Sequence, residues 1–195
     1  MNEIEIVEVM ERHRAILRGH FLLSSGRHSD VFVQKFRVLE HPRLAQKFGE
    51  LVAGSFPEGF DVVASPAVGA VVLGFATALA GGARSIFAER VDDDLRFRRG
   101  FRIEPHERVL VVEDVITTGA SARRVVELAH DAGGDVVGVG SLLDRGDKAR
   151  ATDIGVPMRA LVHLEVESWD EGACPLCAND VPLEDPGSRR VSTTS

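Results

Sequence analysis

The residues with the clearest chemical potential lie in one segment, residues 109–121, which reads VLVVEDVITTGAS. A Val-rich run typical of a buried strand ends at two acids, Glu113 and Asp114, and a loop of small residues leads from them into a predicted helix. This loop, residues 117–121, offers backbone N–H groups, and Gly119 can adopt the tight turn that wraps an anion. Because the helix directs its first amides to the same point, the segment predicts a phosphate site that needs no lysine.

The two acids beside the loop define the ligand more closely. Next to a bound phosphate, Glu113 and Asp114 would be repelled unless the ligand also donates hydroxyls or a divalent metal is present. A ribose phosphate meets this condition, because its 2- and 3-hydroxyls can donate to carboxylates while the loop holds its 5-phosphate. The plain alternative is that the acids cap a strand and the loop caps a helix. The segment is neither a GxxxxGK[ST] P-loop nor a GxGxxG dinucleotide motif.

The elements that must position this segment follow an alternating pattern. Short runs rich in valine, typical of buried parallel strands, occupy residues 61–64, 108–112 and 135–139. Helical patterns lie between them at residues 70–80 and 120–132. The sequence therefore predicts an α/β fold with a doubly wound, mostly parallel sheet flanked by helices, in which ligands bind at the carboxyl ends of the strands.

The N-terminal region has a different pattern. Apolar residues at helical spacing predict a helix over residues 3–18 that Gly19 ends. Short strands are predicted over residues 21–23 and 31–36, around a turn-rich stretch.

Composition limits the possible functions. The chain has 195 residues, 44% of them hydrophobic and 27% charged, which suits one globular domain and excludes a disordered chain. A net charge of −7 argues against a general nucleic-acid binder. Of the 23 basic residues, only Lys35, Lys47 and Lys148 are lysines, so an anion site must rely mainly on guanidinium groups and backbone amides.

Nothing in the sequence predicts export or membrane insertion. No stretch reaches the length of uncharged apolar residues that a spanning helix needs, and the first residues are acidic, unlike a signal peptide. Cys174 and Cys177 are the two cysteines, and we expect them to be reduced in a cytoplasmic protein.

Residues 109–121 resemble the phosphoribosyl-pyrophosphate (PRPP) motif of the type I phosphoribosyltransferases. In that family the two acids hold the ribose hydroxyls and the loop holds the 5-phosphate. The resemblance implies that PRPP is bound by Arg90, Glu113, Asp114, Val115, Ile116, Thr117, Thr118, Gly119, Ala120 and Ser121.

Other segments resemble the orotate phosphoribosyltransferases within that family. Residues 19–30 are similar to the segment that covers the base, and the resemblance implies base contacts from Phe32 and Thr117. Arg145, just beyond the predicted strand at 135–139, corresponds to the arginine that binds the orotate carboxylate. A planar guanidinium can hold a carboxylate with two parallel hydrogen bonds, which a neutral purine could not use. The alternative is a surface arginine on a turn.

A third strand end carries the resemblance further. Ser65, Pro66, Ala67, Val68 and Gly69 resemble the pyrophosphate loop of the family, in which small residues let backbone amides approach the diphosphate. The alternative is a Pro/Gly turn that leads into a buried helix.

The chain also departs from the family pattern. Members carry lysines in the N-terminal segment and in the pyrophosphate loop, where this chain has Ser24 and Gly69. The region of the family's mobile loop, residues 89–101, has no lysine or histidine, although Arg90 matches the family's arginine. Arg96, Arg98 and Arg99 supply its charge. Arginine cannot act as a general acid here, and a solvated hairpin is the alternative interpretation.

The resemblance extends from about residue 3 to residue 186 and implies one domain over residues 1–183. Residues 1–40 would form an N-terminal helix and a base-covering hood, residues 41–165 the α/β core, residues 166–183 a C-terminal extension, and residues 184–195 a flexible tail. It also implies a Mg²⁺ cofactor with no metal ligand directly from protein side chains, a homodimer, and no nucleic-acid or membrane partner.

The implied reaction is transfer of the phosphoribosyl group from PRPP to orotate, giving orotidine 5′-monophosphate and pyrophosphate in the biosynthesis of UMP. Three alternatives remain: a purine phosphoribosyltransferase, a non-catalytic PRPP-binding regulator, and a nucleotide-binding interaction module.

The remaining polar candidates are weaker. The CPLC sequence is a poor zinc signal by itself, because a structural site needs about four ligands. We therefore interpret Cys174 and Cys177 as two reduced thiols in a turn, and His20, His28 and His106 as surface or turn histidines.

Overall fold

The computed structural model describes residues 1–23, 25–146 and 154–186. In chain order the elements are α1 (Glu3–Arg12), β1 (Ile16–Leu22), β2 (His28–Val33), α2 (Phe36–Leu39), α3 (Pro42–Gly54), β3 (Val62–Pro66), α4 (Val71–Gly81), β4 (Arg84–Val91), β5 (Asp94–Phe97), β6 (Arg108–Ile116), α5 (Ala120–Asp131), β7 (Asp135–Asp144), β8 (Met158–His163), β9 (Ser168–Trp169), a short 3₁₀ turn (Glu171–Ala173) and α6 (Pro175–Ala178). Within these ranges no helix is long and apolar enough to cross a membrane.

The Val-rich runs form the centre of a mostly parallel sheet. Its order within the described residues is β5-β4-β3-β6-β7-β8, with β5 antiparallel to β4 and every other neighbouring pair parallel. Successive side chains of β3 point to opposite faces: Val63 packs in a core with α3 and α4, whereas Val62 and Ala64 pack in a core with α5. Helices therefore cover both faces, and the predicted doubly wound sheet is confirmed.

The predicted N-terminal helix over residues 3–18 is wrong in its second half. Helix α1 ends at Arg12, Arg14 has a positive φ of 59°, and residues 16–22 form a strand that pairs with β2. Ile16 and Leu17 fit a helical period as well as a strand, and pairing with β2 decided between the two. The strand predicted to reach residue 36 also ends earlier, at Val33.

A second, smaller sheet joins the N-terminal strands β1 and β2 to β9 of the C-terminal extension. Its order is β1-β2-β9, and β2 pairs antiparallel with β9 through His28 opposite Trp169. Glu184 continues this connection, because its amide donates to the carbonyl of His20 at 2.8 Å and its carbonyl accepts from Leu22. The predicted flexible tail thus begins at a residue bonded to β1, and its residues 187–195 lie outside the described ranges.

Candidate active site

Three neighbouring strands deliver the predicted site residues to one edge of the central sheet. Strands β3, β6 and β7 are adjacent and parallel, so their carboxyl ends lie side by side. The pyrophosphate loop, residues 65–69, leaves β3, and the phosphate loop, residues 117–121, leaves β6. Arg145 directly follows β7, and its amide donates to the carbonyl of Ile116 at 2.8 Å. The fold therefore brings the three segments together.

The phosphate loop has the conformation that its glycine predicts. Gly119 has a φ of 71° and stands at the N-terminal end of α5, a helix of 12 residues. With Thr118 and Ala120 it forms one wall of a small cavity of about 50 Å³, whose lining also includes Glu113, Val115, Ile116, Thr117 and Ser121. The amide of Ala120 donates to Thr118 Oγ1 at 3.4 Å, and the amides at the helix N-terminus together with the hydroxyls make this concavity suitable for a phosphate.

Both acids of the motif are buried. Glu113 is 8% exposed and Asp114 is 1% exposed, which is rare for carboxylates without a partner. Asp114 Oδ1 accepts a hydrogen bond from the amide of Val115 at 2.7 Å. The ammonium Nζ of Lys35 lies 2.8 Å from Asp114 Oδ2, a contact whose alignment makes it an ion pair rather than a hydrogen bond.

Lys35 is a site residue that sequence reasoning missed. It follows β2 and stands 79 positions before Asp114 in the sequence. Only the folded topology brings the two residues together. A signal was available, since Lys35 is one of three lysines and stands three residues beyond Phe32, the predicted aromatic base contact.

The pyrophosphate loop packs directly against this pair. A side-chain Cβ at Gly69 would collide with Asp114 Oδ2 and would lie 2.9 Å from Lys35 Nζ, so the position admits only glycine without a rearrangement. The loop therefore has no room for a lysine of its own here, and Lys35 supplies a positive charge at the same place from the end of β2.

Burial changes the acid–base behaviour of the neighbouring acid. Removal from water, reinforced by the charge of Asp114, raises the pKa of Glu113 to about 8. At neutral pH the Glu113 carboxyl is therefore mostly protonated before any ligand binds, while Asp114 has Lys35 beside it.

This shift predicts a pH-dependent stability difference for Glu113→Gln. Because the folded pKa lies above the unfolded value of 4.5, the stability due to Glu113 is fully present below 4.5 and is lost as the pH rises through 8. Glutamine does not ionise, so its contribution does not fall as the pH rises. Between pH 5 and pH 8.5 we therefore expect the free energy of unfolding of the variant to increase by at least about 1 kcal/mol relative to that of wild type. Denaturant unfolding at the two pH values measures it.

Glu107→Gln is the matched control. The Arg84 guanidinium lowers the pKa of Glu107, so this acid is ionised in both states above pH 5 and its replacement should cost the same at both pH values. An equally constant difference for Glu113→Gln would contradict the raised pKa.

Arg145 is poised for a ligand. Its side chain is half-buried, burial lowers its pKa, and its Nε has no hydrogen-bond partner in the part of the chain that the structure describes. The next residue, Gly146, lies against the carbonyl of Thr117, since a Cβ there would be 3.5 Å from that oxygen. An incompletely satisfied guanidinium thus stands beside the phosphate loop.

Comparison with known proteins decides the family. No family model matches the chain. Over 193 residues the chain is 42% identical to the orotate phosphoribosyltransferase of Caldanaerobacter subterraneus subsp. tengcongensis, and the match covers 98% of this chain and 100% of that protein. The chain belongs to the orotate phosphoribosyltransferases. It is therefore an enzyme that transfers pentosyl groups.

Solved structures agree with this assignment. The orotate phosphoribosyltransferase of Mycobacterium tuberculosis H37Rv in complex with PRPP matches with a TM-score of 0.64 at 29% identity, over 83% of this chain and 96% of that one. The adenine phosphoribosyltransferase of Rhodothermus marinus matches with a TM-score of 0.66 over 83% of this chain and 99% of that one, but at 22% identity it shares the fold alone. The predicted type I phosphoribosyltransferase fold is confirmed.

Two groups of predicted residues do not line the small cavity of the phosphate loop. Phe32 lines a separate cavity of about 700 Å³ together with Arg14, Gln34 and Phe36, and no residue of the phosphate loop lines that cavity. Strands β4 and β5 form the hairpin that the sequence offered as an alternative for the arginine-rich region. The role of each group in substrate binding stays a prediction.

The arginines of this hairpin have local partners or face solvent. Arg90 donates to the carbonyl of Asp93 at 3.1 Å, and Arg99 forms an ion pair with Glu89 at 2.8 Å. Arg96 and Arg98 are exposed. In this state the guanidinium groups therefore lie on the surface.

One interpretation of the polar residues was wrong. His20 and His28 are not surface histidines, because they are 1% and 3% exposed, and both face the two cysteines. His20 points inward because β1 and β2 pair and because the C-terminal extension covers them. His106, by contrast, is exposed in a turn as predicted.

Proposed function

We propose that this chain transfers the 5-phosphoribosyl group of PRPP to orotate, giving orotidine 5′-monophosphate and pyrophosphate in the biosynthesis of UMP. One observation carries the proposal: one edge of the sheet holds a phosphate loop, two buried acids and a half-buried arginine whose Nε has no partner among the described residues. The first two fit a ribose phosphate, and the third fits an anionic base.

The donor is held by two loops and the acids between them. Residues 117–121 bind the 5-phosphate through their amides and hydroxyls, and Glu113 and Asp114 accept hydrogen bonds from the ribose hydroxyls. The pyrophosphate loop, residues 65–69, presents backbone to the diphosphate. Lys35 balances the charge of Asp114 and adds a cation beside that loop. The PRPP complex of the Mycobacterium tuberculosis relative supports a PRPP site on this fold.

The acceptor is recognised by its carboxylate. Arg145 offers a planar fork of donors beside Thr117, and its partial burial strengthens a charged pair relative to water. The surroundings have already removed part of its hydration, so less is lost when orotate binds.

Catalysis follows from alignment and charge rather than from a side-chain nucleophile. A ring nitrogen of orotate loses its proton and forms a bond to C1 of the ribose as the bond from C1 to the pyrophosphate oxygen breaks, and the departing pyrophosphate takes up the proton. The site aligns the two substrates, Asp114 stabilises positive charge on the ribose ring, and Glu113 accepts a hydrogen bond from a ribose hydroxyl. The β4–β5 hairpin and the residues after it close over the leaving pyrophosphate and exclude water. They carry four predicted site residues, Arg90, Arg96, Arg98 and Arg99.

The donor set at the acids also fits Mg²⁺. Glu113 and Asp114 provide hard oxygen atoms beside the loop assigned to the diphosphate, and Mg²⁺ prefers such oxygens while it keeps several waters. These residues would hold the ion through water and the ribose hydroxyls rather than by a closed set of side-chain ligands. When bound, Mg²⁺ supplies charge neutralisation at the diphosphate.

The predicted homodimer has a candidate surface next to the site. One face of α4 and the loop before it expose large apolar side chains, namely Val68, Val72, Phe75 and Leu79. Their spacing of three or four residues makes a continuous stripe, which a second copy of the chain would cover. Val68 belongs to the pyrophosphate loop, so this dimer would support the site.

Phe75→Glu should therefore shift the protein from dimer to monomer. A charge in the middle of an apolar interface carries a large desolvation penalty, so we expect the dissociation constant to rise by at least about 100-fold. Light scattering during gel filtration measures the mass. Ile4→Glu places the same charge on an exposed apolar residue of α1 and should leave the mass unchanged. A dimeric Phe75→Glu variant would exclude this surface.

An acceptor panel tests the proposed activity. The chain is incubated with PRPP, Mg²⁺ and orotate, adenine, hypoxanthine or guanine, while base absorbance and pyrophosphate release are followed. We expect consumption of orotate alone. Consumption of a purine would indicate a purine phosphoribosyltransferase, and binding of PRPP without consumption of any base would indicate a non-catalytic regulator.

A further inference from the structure

Four potential metal ligands meet between the hood and the C-terminal extension. His20 on β1, His28 on β2, and Cys174 and Cys177 around α6 bring one ligand atom each into a group that spans no more than 4.8 Å. His20 Nε2 lies 2.9 Å from His28 Nδ1 and 3.5 Å from Cys174 Sγ. Cys177 Sγ lies 3.2 Å from His28 Nδ1 and 3.7 Å from His20 Nε2.

We propose that these four residues bind a structural Zn²⁺ ion that fastens the C-terminal extension to the hood. A tetrahedral zinc with Zn–N bonds of about 2.0–2.1 Å and Zn–S bonds of about 2.3 Å separates its ligand atoms by about 3.3–3.8 Å. The four ligand-to-ligand distances given above run from 2.9 to 3.7 Å, close to this range, and no two ligand atoms are more than 4.8 Å apart. Two sulfurs and two imidazole nitrogens are a typical donor set of structural zinc sites.

The surroundings orient the ligands. The other ring nitrogen of His20, Nδ1, lies 2.8 Å from the carbonyl oxygen of Val181, which can only accept a hydrogen bond. Nδ1 therefore carries the proton, and Nε2 keeps its lone pair directed at the cluster, as in many zinc sites. Two cysteine thiolates would balance the charge of Zn²⁺, so the buried centre would be neutral overall.

Beyond β9, the C-terminal extension gains little from apolar packing. Within residues 170–186 Cys174 is the one buried residue, and Val181 and Leu183 are exposed. The ion pair between Arg27 and Asp170 is exposed and contributes little. A bound zinc would supply the stability that this segment does not gain from an apolar core.

Metal analysis of the untagged full-length protein, purified without chelators, tests the proposal. We expect about one zinc per chain by mass spectrometry and its loss in Cys174→Ser, Cys177→Ser and His28→Ala. His106→Ala replaces an exposed histidine and is the matched control that should retain the metal. Circular dichroism establishes whether each variant is folded.

Cobalt provides a second measurement that needs no variant. The chain has only two cysteines, so a thiolate-to-Co²⁺ absorption band in the exchanged wild-type protein reports this cluster alone. We expect that band together with the visible bands of tetrahedral Co²⁺, and a melting temperature that falls when zinc is removed. Wild-type protein without stoichiometric zinc and without these bands would overturn the proposal, as would a Cys174→Ser variant with its metal intact. Free thiols or a disulfide without metal would be such a result.

Discussion

Asp114→Asn is expected to lower turnover by at least about 100-fold while leaving the fold intact. Asparagine has nearly the same shape, so it leaves no cavity at this buried position, but it removes the negative charge that the ribose hydroxyls and the developing positive charge require. It also leaves the ammonium of Lys35 without its partner at 2.8 Å. Steady-state kinetics with saturating orotate and PRPP measure the loss.

Asp61→Asn is the matched control for this change. Asp61 forms an ion pair with Arg108 next to the amino ends of β3 and β6, opposite the edge that carries the site. The same substitution there should leave turnover unchanged. Far-UV circular dichroism should be the same for both variants and wild type. Wild-type turnover in Asp114→Asn would remove this residue from the ribose site.

Arg145→Ala is expected to raise the KM for orotate about 10- to 100-fold and to change the KM for PRPP much less. A hydrogen-bonded charge pair in a partly buried site contributes more than a neutral contact, and the Nε of Arg145 has no partner among the described residues that it would lose. The effect therefore falls on the ligand that carries the carboxylate. Initial rates with each substrate varied in turn measure it.

Two further substitutions sharpen this test. Arg145→Lys keeps the charge but loses the planar fork, so it should lie between alanine and wild type. Arg159→Ala, on the neighbouring strand β8, removes an arginine that packs on Phe56 and should leave both KM values unchanged. Equal weakening of orotate and PRPP in Arg145→Ala would contradict a role in carboxylate recognition.

The parts of this protein that the sequence predicts are those whose determinants are local. Residues 109–121 contain a strand, two acids, a loop and a helix start in continuous order, so their geometry follows from short-range rules. Each Val-rich strand can be recognised from its own run of apolar residues. Parallel pairing then places the carboxyl ends of these strands together.

The missed features are those that depend on distant pairing. Lys35 and Asp114 meet only because the end of β2 passes over the edge of the sheet. Helix α1 was predicted too long because the apolar spacing over residues 16–18 suits either structure, and only the partner strand selects one. The histidines and cysteines of the metal cluster belong to three separate segments, so no single spacing in the sequence announces them.

The pairing of β2 with β9 has a consequence for the order in which the molecule is made. Strand β6, helix α5 and strand β7 lie within residues 108–144, whereas β2 finds its second neighbour only at residues 168–169. A chain emerging from the ribosome therefore contains β3, β6 and β7, the strands that carry the candidate site, before β9 can complete the smaller sheet. The edge of the central sheet that carries the predicted PRPP residues can therefore form before the smaller sheet is complete.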